Sequence, residues 1–413
     1  MRVLVVGSRG REHALVRVLR RSEGVDAVLA TRPNPGMATL AEAVDVSPMD
    51  IAGVVAAARR GDVGLVIVGP EAPLCAGLAD AVRAAGIDCL GPSAAAAQIE
   101  GSKAFAKALM DEAGIPTAGW ERFTDAATAL AWGRGRPRPP VVKGDGLMAG
   151  KGVVVPESPA EMEAAVIELM AASESIVLED RLIGPEVSVI GLTDGVTVLA
   201  FPSARDHKRI FDGDRGPNTG GMGAVSPAPG VDDALVERIR QQVLLPAVNV
   251  MAARGTPFVG FLYAGVMLTP EGPKVLEFNA RLGDPEAQVL LERLSGDVLG
   301  LFLAAARGHL AGRTLDVLPG AAVCVVMASA GYPASARSGD VIRGLERAGE
   351  RAFVAHAGTA ARGADVVTNG GRVLGVTARG DSVAEALTRA YGAVDELSFD
   401  GAQLRRDIAG GLP

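Results

Sequence analysis

The stretch Val141–Val155, VVKGDGLMAGKGVVV, sets Lys143, Gly144, Gly146, Gly150, Lys151 and Gly152 between two short valine-rich runs. Valine fits a pleated surface, so the runs read as two antiparallel strands and the glycines as the loop joining them. Glycines let backbone N–H groups come close to an anion, and ammonium groups add point charges. A nucleoside triphosphate suits that chemistry. The loop is not a Walker loop, because Gly152 follows Lys151 where a hydroxyl residue is needed. Of 41 Lys and Arg residues only six are Lys, at 103, 107, 143, 151, 208 and 274. In so arginine-rich a chain, two lysines bracketing one glycine loop indicate a need for compact ammoniums on flexible stems. Lys107 and Lys274 need no explanation beyond chance.

A second group lies in LEFNARLGDPE, residues 276–286. Glu277 and Asn279 are two apart on a predicted strand and share one face, while Phe278 points to the core. A carboxylate beside an amide oxygen suits Mg²⁺, a hard ion that prefers oxygen ligands. Arg281, Asp284 and Glu286 follow at once, so five polar groups are expected at one strand end. The polar, glycine-rich run Ser203–Pro229 is expected to be a binding loop, given its length and its Asp, His, Lys, Asn and Thr content. No Ser–His or Cys–His constellation is present, so the chemistry requires no enzyme nucleophile.

Strands and helices alternate over residues 1–100, with apolar runs at Val3–Val6, Ala27–Ala30, Leu65–Val68 and Asp88–Leu90 and helices over Glu12–Arg21, Met49–Arg60 and Leu74–Ala85. This order predicts a doubly wound parallel sheet with its ligands at the strand C-terminal ends, including the loop Gly7–His13. Gly7-Ser8-Arg9-Gly10-Arg11 lacks the third glycine of a dinucleotide fingerprint but leaves room for a phosphate at a helix N-terminus. Ser102 is a good N-cap for a helix running to about Glu112. RGRPRPP, residues 134–140, cannot be helical. Residues 121–185 are expected to form a small mobile unit. Hairpins are expected around 193–195, around 269–273 and, over Val366–Val376, around Asn369-Gly370-Gly371. A helix is expected over Leu235–Arg254. From about 321 a further α/β unit begins, which carries few candidate catalytic groups.

Bulk properties exclude several classes. Net charge is −7 and aromatics are 4%, which argues against a nucleic-acid surface. Hydrophobic content is 48%, yet no apolar run reaches the roughly 18 residues of a membrane span. Cys75, Cys89 and Cys324 indicate neither disulfides nor a zinc site. The four histidines (13, 207, 309 and 356) have no metal-ligand spacing, and His356 reads as a satisfied, partly buried side chain. A cytoplasmic protein, monomeric or weakly dimeric, is expected.

Taken together, the motifs resemble the glycinamide ribonucleotide synthetases (phosphoribosylamine–glycine ligases) of the ATP-grasp superfamily. The matching words are GREHAL (10–15), VGPEAPL (68–74), EGSKAFAK (100–107), the glycine loop, GPNTGGMGA (216–224), GFLYAG (260–265), LEFNARLGDPE (276–286), HAGT (356–359) and VVTNGGRVL (366–374). The resemblance implies α/β architecture in three parts. These are an N-terminal pre-ATP-grasp domain (1–100), an ATP-grasp domain (101–320) with a mobile lid at about 121–185, and a small C-terminal domain (321–413). It implies ATP-dependent ligation of 5-phosphoribosylamine to glycine through glycyl phosphate; the alternative is an ATP-grasp paralogue acting on another amino acid or amine. By resemblance, Lys103, Lys143 and the loop 144–152 meet ATP phosphates, and Glu179, Asp180 and Leu182 lie at the adenine, with Glu186 on the ribose. Glu277 and Asn279 hold Mg²⁺ or Mn²⁺. Asp206, Lys208, Asn218, Thr219, Gly220, Gly221, Arg281 and Asp284 face the acceptor substrates. The loop with Gly10, Arg11, Glu12 and His13, together with Asn34, lies by the ribose phosphate. Lys143, Arg281 and Asp284 carry the catalysis. The chain departs from the family pattern at Arg9, Arg32-Pro33, Met148, Arg181 and Arg205.

Overall fold

The computed structural model describes residues 1–148 and 152–410. Arg2–Val6, Ala27–Thr31, Glu42–Val44, Val63–Val68 and Asp88–Leu90 form a parallel sheet in spatial order 3-2-1-4-5. Val3–Val6 and Leu65–Ile67 are fully buried. Helices cover both faces, which is why these strands are continuously apolar rather than alternating. The edge strand Glu42–Val44, short and exposed, escaped the sequence reading. The helix expected at 74–85 is two, Glu71–Cys75 and Leu78–Ala84, because Gly77 takes a left-handed φ of +89° between them. The helix expected at 235–254 runs from Asp233 to Ala253 and widens to a π-helical turn at Arg240–Leu244, just before Pro246. Proline offers no N–H to the regular ladder, so the chain changes pitch there.

The central sheet is antiparallel, with Val198–Ala200, Glu186–Asp194, Val259–Thr269 and Gly272–Asn279 side by side. Joined to it is a smaller antiparallel sheet in the order Trp120–Phe123, Ile176–Glu179, Val141–Gly144, Val153–Val154. Helices Ala126–Arg134 and Pro159–Ala172 close this unit around its own small core of Phe123, Val142, Met162, Val166, Leu169 and Leu178.

A third sheet orders Arg205–Asp206, Gly223–Ser226, Ala321–Ala328, Arg372–Gly380 and Phe353–His356. Two expectations are corrected here. The run 203–229 is not one loop: Arg205–Asp206 pairs with Gly223–Ser226 and Arg209–Phe211 with Arg215–Asn218. The hairpin over 366–376 does not form: Asp365–Thr368 pairs with Thr359–Arg362, whereas Arg372–Gly380 joins the five-stranded sheet. A tight hairpin turn of type I′ needs positive φ at both central residues, and in Asn369-Gly370-Gly371 only Gly370 has it (+155°). Alternating apolar residues mark a strand without naming its partner.

Helix Glu286–Arg293 packs between helix Gly10–Arg20 and the third sheet. Val3, Val5, Leu15, Leu19, Leu290, Leu291, Phe302 and Cys324 therefore belong to one core. Polar contacts seal the same junction. Asn34 donates to Ser8 O (2.9 Å) and His356 O (2.8 Å), and the His356 N–H donates to His13 Nδ1 (2.8 Å). Burial, with smaller contributions from His356 and Arg17, pulls the His13 imidazole down from 6.5 to about 3, and burial pulls His356 down to about 4. The unfolded chain, with ordinary histidines, then binds more protons than the folded one below pH 6.5. Stability should fall as pH drops from 6.5 toward 4. Denaturant midpoints measured across that range should decline. His13→Leu should cost about 1–3 kcal/mol at pH 7, from the unpaired His356 N–H, and flatten the pH slope. An unchanged slope would mean that His13 is not the group titrating.

Candidate active site

The glycine loop starts at the inner end of strand Val141–Gly144. Gly146 is at φ +109°, open only to glycine at low cost, and its carbonyl accepts from Lys103 Nζ at 2.8 Å. A Cβ on Gly144 would stand 2.2 Å from Met148 Sδ, and one on Gly152 2.7 Å from Met148 Cβ. Met148, one of the departures, thus fills the space above two loop glycines. Gly150 and Lys151 lie outside the described residues. Asp145 ties the loop to the start of helix Lys103–Glu112, accepting from Ser102 Oγ (2.9 Å) and Ser175 Oγ (3.1 Å).

Lys143 is buried. Its ammonium lies 2.5 Å from Glu179 Oε1 and donates to Leu276 O at 2.8 Å. Lys107, also buried, pairs with the other oxygen, Oε2, of Glu179. Burial raises the Glu179 carboxyl, but the Lys143 and Lys107 charges outweigh it and leave the group below its usual range. The Glu179 side chain is thus fully engaged with lysines. Beyond it, the Asp180 N–H donates to Gly119 O at 2.8 Å, Leu182 is half-buried, and Glu186 pairs with Lys208.

Glu277 and Asn279 stand on the strand whose carbonyl holds Lys143, and Phe278 between them is buried, as the strand period requires. Burial would raise Glu277, yet Lys208, Lys143, Lys103 and Arg281, in falling order, hold it below the usual carboxylate range. Four cations therefore face one carboxylate that makes no ion pair of its own among the described residues. Asn279 Oδ1 accepts from Arg281 Nη2 at 3.1 Å. No cluster of three or more His, Cys, Asp or Glu that could hold a metal occurs among the described residues. Two adjacent hard oxygen donors without a closed cage suit an ion that takes its remaining ligands from phosphates.

Arg281 also meets Glu100 Oε1 (2.9 Å) and Glu71 Oε2 (3.3 Å), and Arg11 reaches Glu12 Oε1 (2.7 Å) and Glu71 Oε2 (3.4 Å). Glu12 leaves no room for a Cβ on Gly69, which would stand 2.2 Å from Glu12 Oε1. Asp284 accepts from Gln288 Nε2 at 2.7 Å and faces Arg372 at 3.4 Å. Glu286 accepts from Ser188 Oγ at 2.8 Å and stands near Asp206. In the 218–221 segment, Thr219 bonds to Lys208 O, Gly221 takes φ +113°, and Gly220 is held by Arg372 and by the Tyr332 hydroxyl (2.9 Å). Asp206 Oδ1 is buried with no hydrogen-bond partner among the described residues. Burial, then the nearby Glu286 charge, pushes the Asp206 carboxyl well above its usual range.

The sequence-predicted residues thus gather on one wall: Lys103, Lys143, Lys208, Glu277, Asn279, Arg281 and Asp284. His13 Nδ1 and the Asn34 amide also bind the C-terminal segment, at His356. Sequence reasoning passed over three residues. Lys107 could have been found from its place one helical turn after Lys103, on the same face. Arg372 and Tyr332 come from the unit expected to carry few catalytic groups; Arg372 lies in the quoted word VVTNGGRVL but was given no role, and nothing in its local sequence marks Tyr332.

A central antiparallel sheet carrying the Glu277–Asn279 pair, joined to a smaller antiparallel unit with a glycine loop and an inward lysine, defines an ATP-grasp enzyme. Three family models match in order: the phosphoribosylglycinamide synthetase N domain over residues 1–100, the ATP-grasp (A) domain over 101–287 and the C domain over 322–411. Phosphoribosylamine–glycine ligase of Streptomyces coelicolor is 50% identical, with 99% of each chain covered. That of Rhodopirellula baltica is 48% identical, over 98% of this chain and 97% of its own length. The crystal structure of phosphoribosylamine–glycine ligase from Thermotoga maritima superposes with a TM-score of 0.87 at 30% identity, covering 99% of this chain and 100% of that one. Biotin carboxylase of Campylobacter jejuni shares the fold, at TM-score 0.72 and 16% identity over 97% of this chain and 92% of its own. The chain belongs to the phosphoribosylglycinamide synthetase family and is an ATP-dependent ligase.

Glu277→Gln keeps the shape of the side chain and removes its charge. It should raise the divalent-ion concentration needed for half-maximal turnover and lower kcat by at least about tenfold. A magnesium titration of ATP turnover, run beside thermal unfolding, measures both. Unchanged magnesium demand with a lowered Tm would make Glu277 a structural residue instead.

Proposed function

We propose that the wall described above is where this chain binds ATP, a divalent ion, glycine and phosphoribosylamine. The chain joins 5-phosphoribosylamine to glycine at the expense of ATP, forming glycinamide ribonucleotide in purine biosynthesis. Its organisation is read as an N-terminal domain (1–100), an ATP-grasp domain (101–320) whose residues 121–185 act as a lid, and a C-terminal domain (321–413). The observation that carries the site reading is the convergence of Lys208, Lys143, Lys103 and Arg281 on the single carboxylate of Glu277. Lys103, which has no carboxylate partner among the described residues, and Lys143 beside it suit the charge of a triphosphate.

A carboxylate is a poor electrophile, so glycine is first converted to glycyl phosphate, and the amine of phosphoribosylamine then displaces phosphate. Lys103 and Lys143 take the phosphate oxygens, as do backbone N–H groups of the glycine loop. An ammonium–phosphate hydrogen bond contributes about 1.5–3 kcal/mol where water is excluded. Glu277 and Asn279 would hold Mg²⁺ or Mn²⁺, which when bound neutralises charge on the phosphates. Asp206, with a buried oxygen lacking a partner, receives the glycine ammonium, whose positive charge stabilises the ionised carboxylate. Arg281, braced by Glu100 and Glu71, orients the glycine carboxylate, and Asp284, held between Gln288 and Arg372, faces the incoming amine. Catalysis is positioning and charge placement rather than covalent chemistry.

Release of phosphate from ATP should require glycine and freshly generated phosphoribosylamine together and should leave ADP. AMP and pyrophosphate as products would refute the glycyl phosphate route. Asp206→Asn should raise the KM for glycine about tenfold, the equivalent of one charged hydrogen bond, with the KM for ATP little changed. Equal effects on both would remove Asp206 from the glycine site.

A further inference from the structure

Three charged groups lie buried together at the junction of the central sheet and the smaller unit: Lys107, Glu179 and Lys143. Within the cluster one carboxylate serves two ammoniums. Each ammonium is also anchored to the metal-bearing strand. Lys143 donates directly to Leu276 O, and Lys107 donates at 2.7 Å to Thr117 Oγ1, which donates at 2.6 Å to Val275 O. The Lys107 ammonium thus serves both Glu179 Oε2 and Thr117 Oγ1.

Without nucleotide, then, Lys143 is parked on Glu179. To reach a phosphate it must leave a carboxylate that is cut off from water. Were Glu179 paired with Lys143 alone, that departure would strand a buried charge, which is strongly unfavourable. We propose that Lys107 is a positioning residue: it keeps Glu179 paired while the Lys143 ammonium passes from that carboxylate to the phosphates of ATP. The incoming phosphate gives Lys143 an anion of its own, so the pair Lys107–Glu179 and the pair Lys143–phosphate are both complete in the bound state. Consistent with a crowded cation, burial draws the Lys107 ammonium below its usual range; Glu179 opposes this and Lys143 adds to it. The proposal rests on Lys143 being a phosphate ligand.

A charge cycle tests it. Calorimetric ATP affinity, Tm and the KM for glycine are measured for the wild type, Lys107→Met, Glu179→Gln and the double variant. Lys107→Met should clamp Lys143 to Glu179 and weaken ATP binding about tenfold or more, with the KM for glycine within about twofold of wild type. Adding Glu179→Gln removes the clamp and should bring ATP affinity back to within about threefold. Unchanged ATP affinity in Lys107→Met overturns the proposal. So does a double variant as weak as the single one, or coupling between the two positions that appears in Tm but not in ATP affinity. If Lys107→Met does not fold, the double variant decides alone, since about tenfold weaker ATP binding there is the overturning result. Wild-type protein that failed to bind ATP would refute the ligase reading itself, a separate outcome.

Discussion

An enzyme that works by charge placement must hold its cations at fixed positions, shielded from bulk water. Here that constraint falls on the strand Gly272–Asn279. Its side chains present Glu277 and Asn279, and its carbonyls at Val275 and Leu276 hold Thr117 and Lys143. In the proposed site these side chains supply oxygens for a cation, while the backbone of the same strand fixes the Lys143 ammonium. A slip of one residue in its pairing with Val259–Thr269 would turn Glu277 and Asn279 into the core and expose Phe278. The long, fully buried partner strands Glu186–Asp194 and Gly260–Val266 prevent that slip.

The carboxylates around the site divide into two kinds. Glu12, Glu71, Glu100 and Glu179 are enclosed by arginines or lysines and act as braces, fixing where the cations stand. Glu277 and Asp206 have acceptor oxygens left over, the property expected of groups that meet a ligand. Their shifts run in opposite directions for one reason, the local balance of charge. Glu277 sees mainly cations, whereas Asp206 sees Glu286 before it sees Lys208.

What could be read from the sequence follows the range of the interactions involved. The glycine loop and the Glu277–Asn279 pair are written in adjacent positions, where strand period and turn chemistry are sufficient. The parallel sheet was legible because its strands are buried on both faces. The Asp365–Thr368 and Arg372–Gly380 strands were legible as strands but not as separate partners, since pairing depends on sequence far away. Lys107 looked incidental because its partner Glu179 belongs to another unit. Arg372 gained importance only from a fold that brings it to Asp284, 88 residues earlier. Resemblance placed His13 and Asn34 near a phosphate, and it could not show that both also bind the backbone of His356.

That last junction has a bearing on how the chain is made. The contact between His13 and His356 spans 343 residues, and the core beneath it draws on both the first strand and the last sheet. A ribosome delivers the N-terminal sheet long before the segment that covers helix Gly10–Arg20 exists. Through most of synthesis that helix presents Leu15 and Leu19 without their final partners, and closing so long a loop is slow. The N-terminal unit is therefore born early and completed last, and its apolar face is the surface that a nascent chain of this protein has to keep from aggregation.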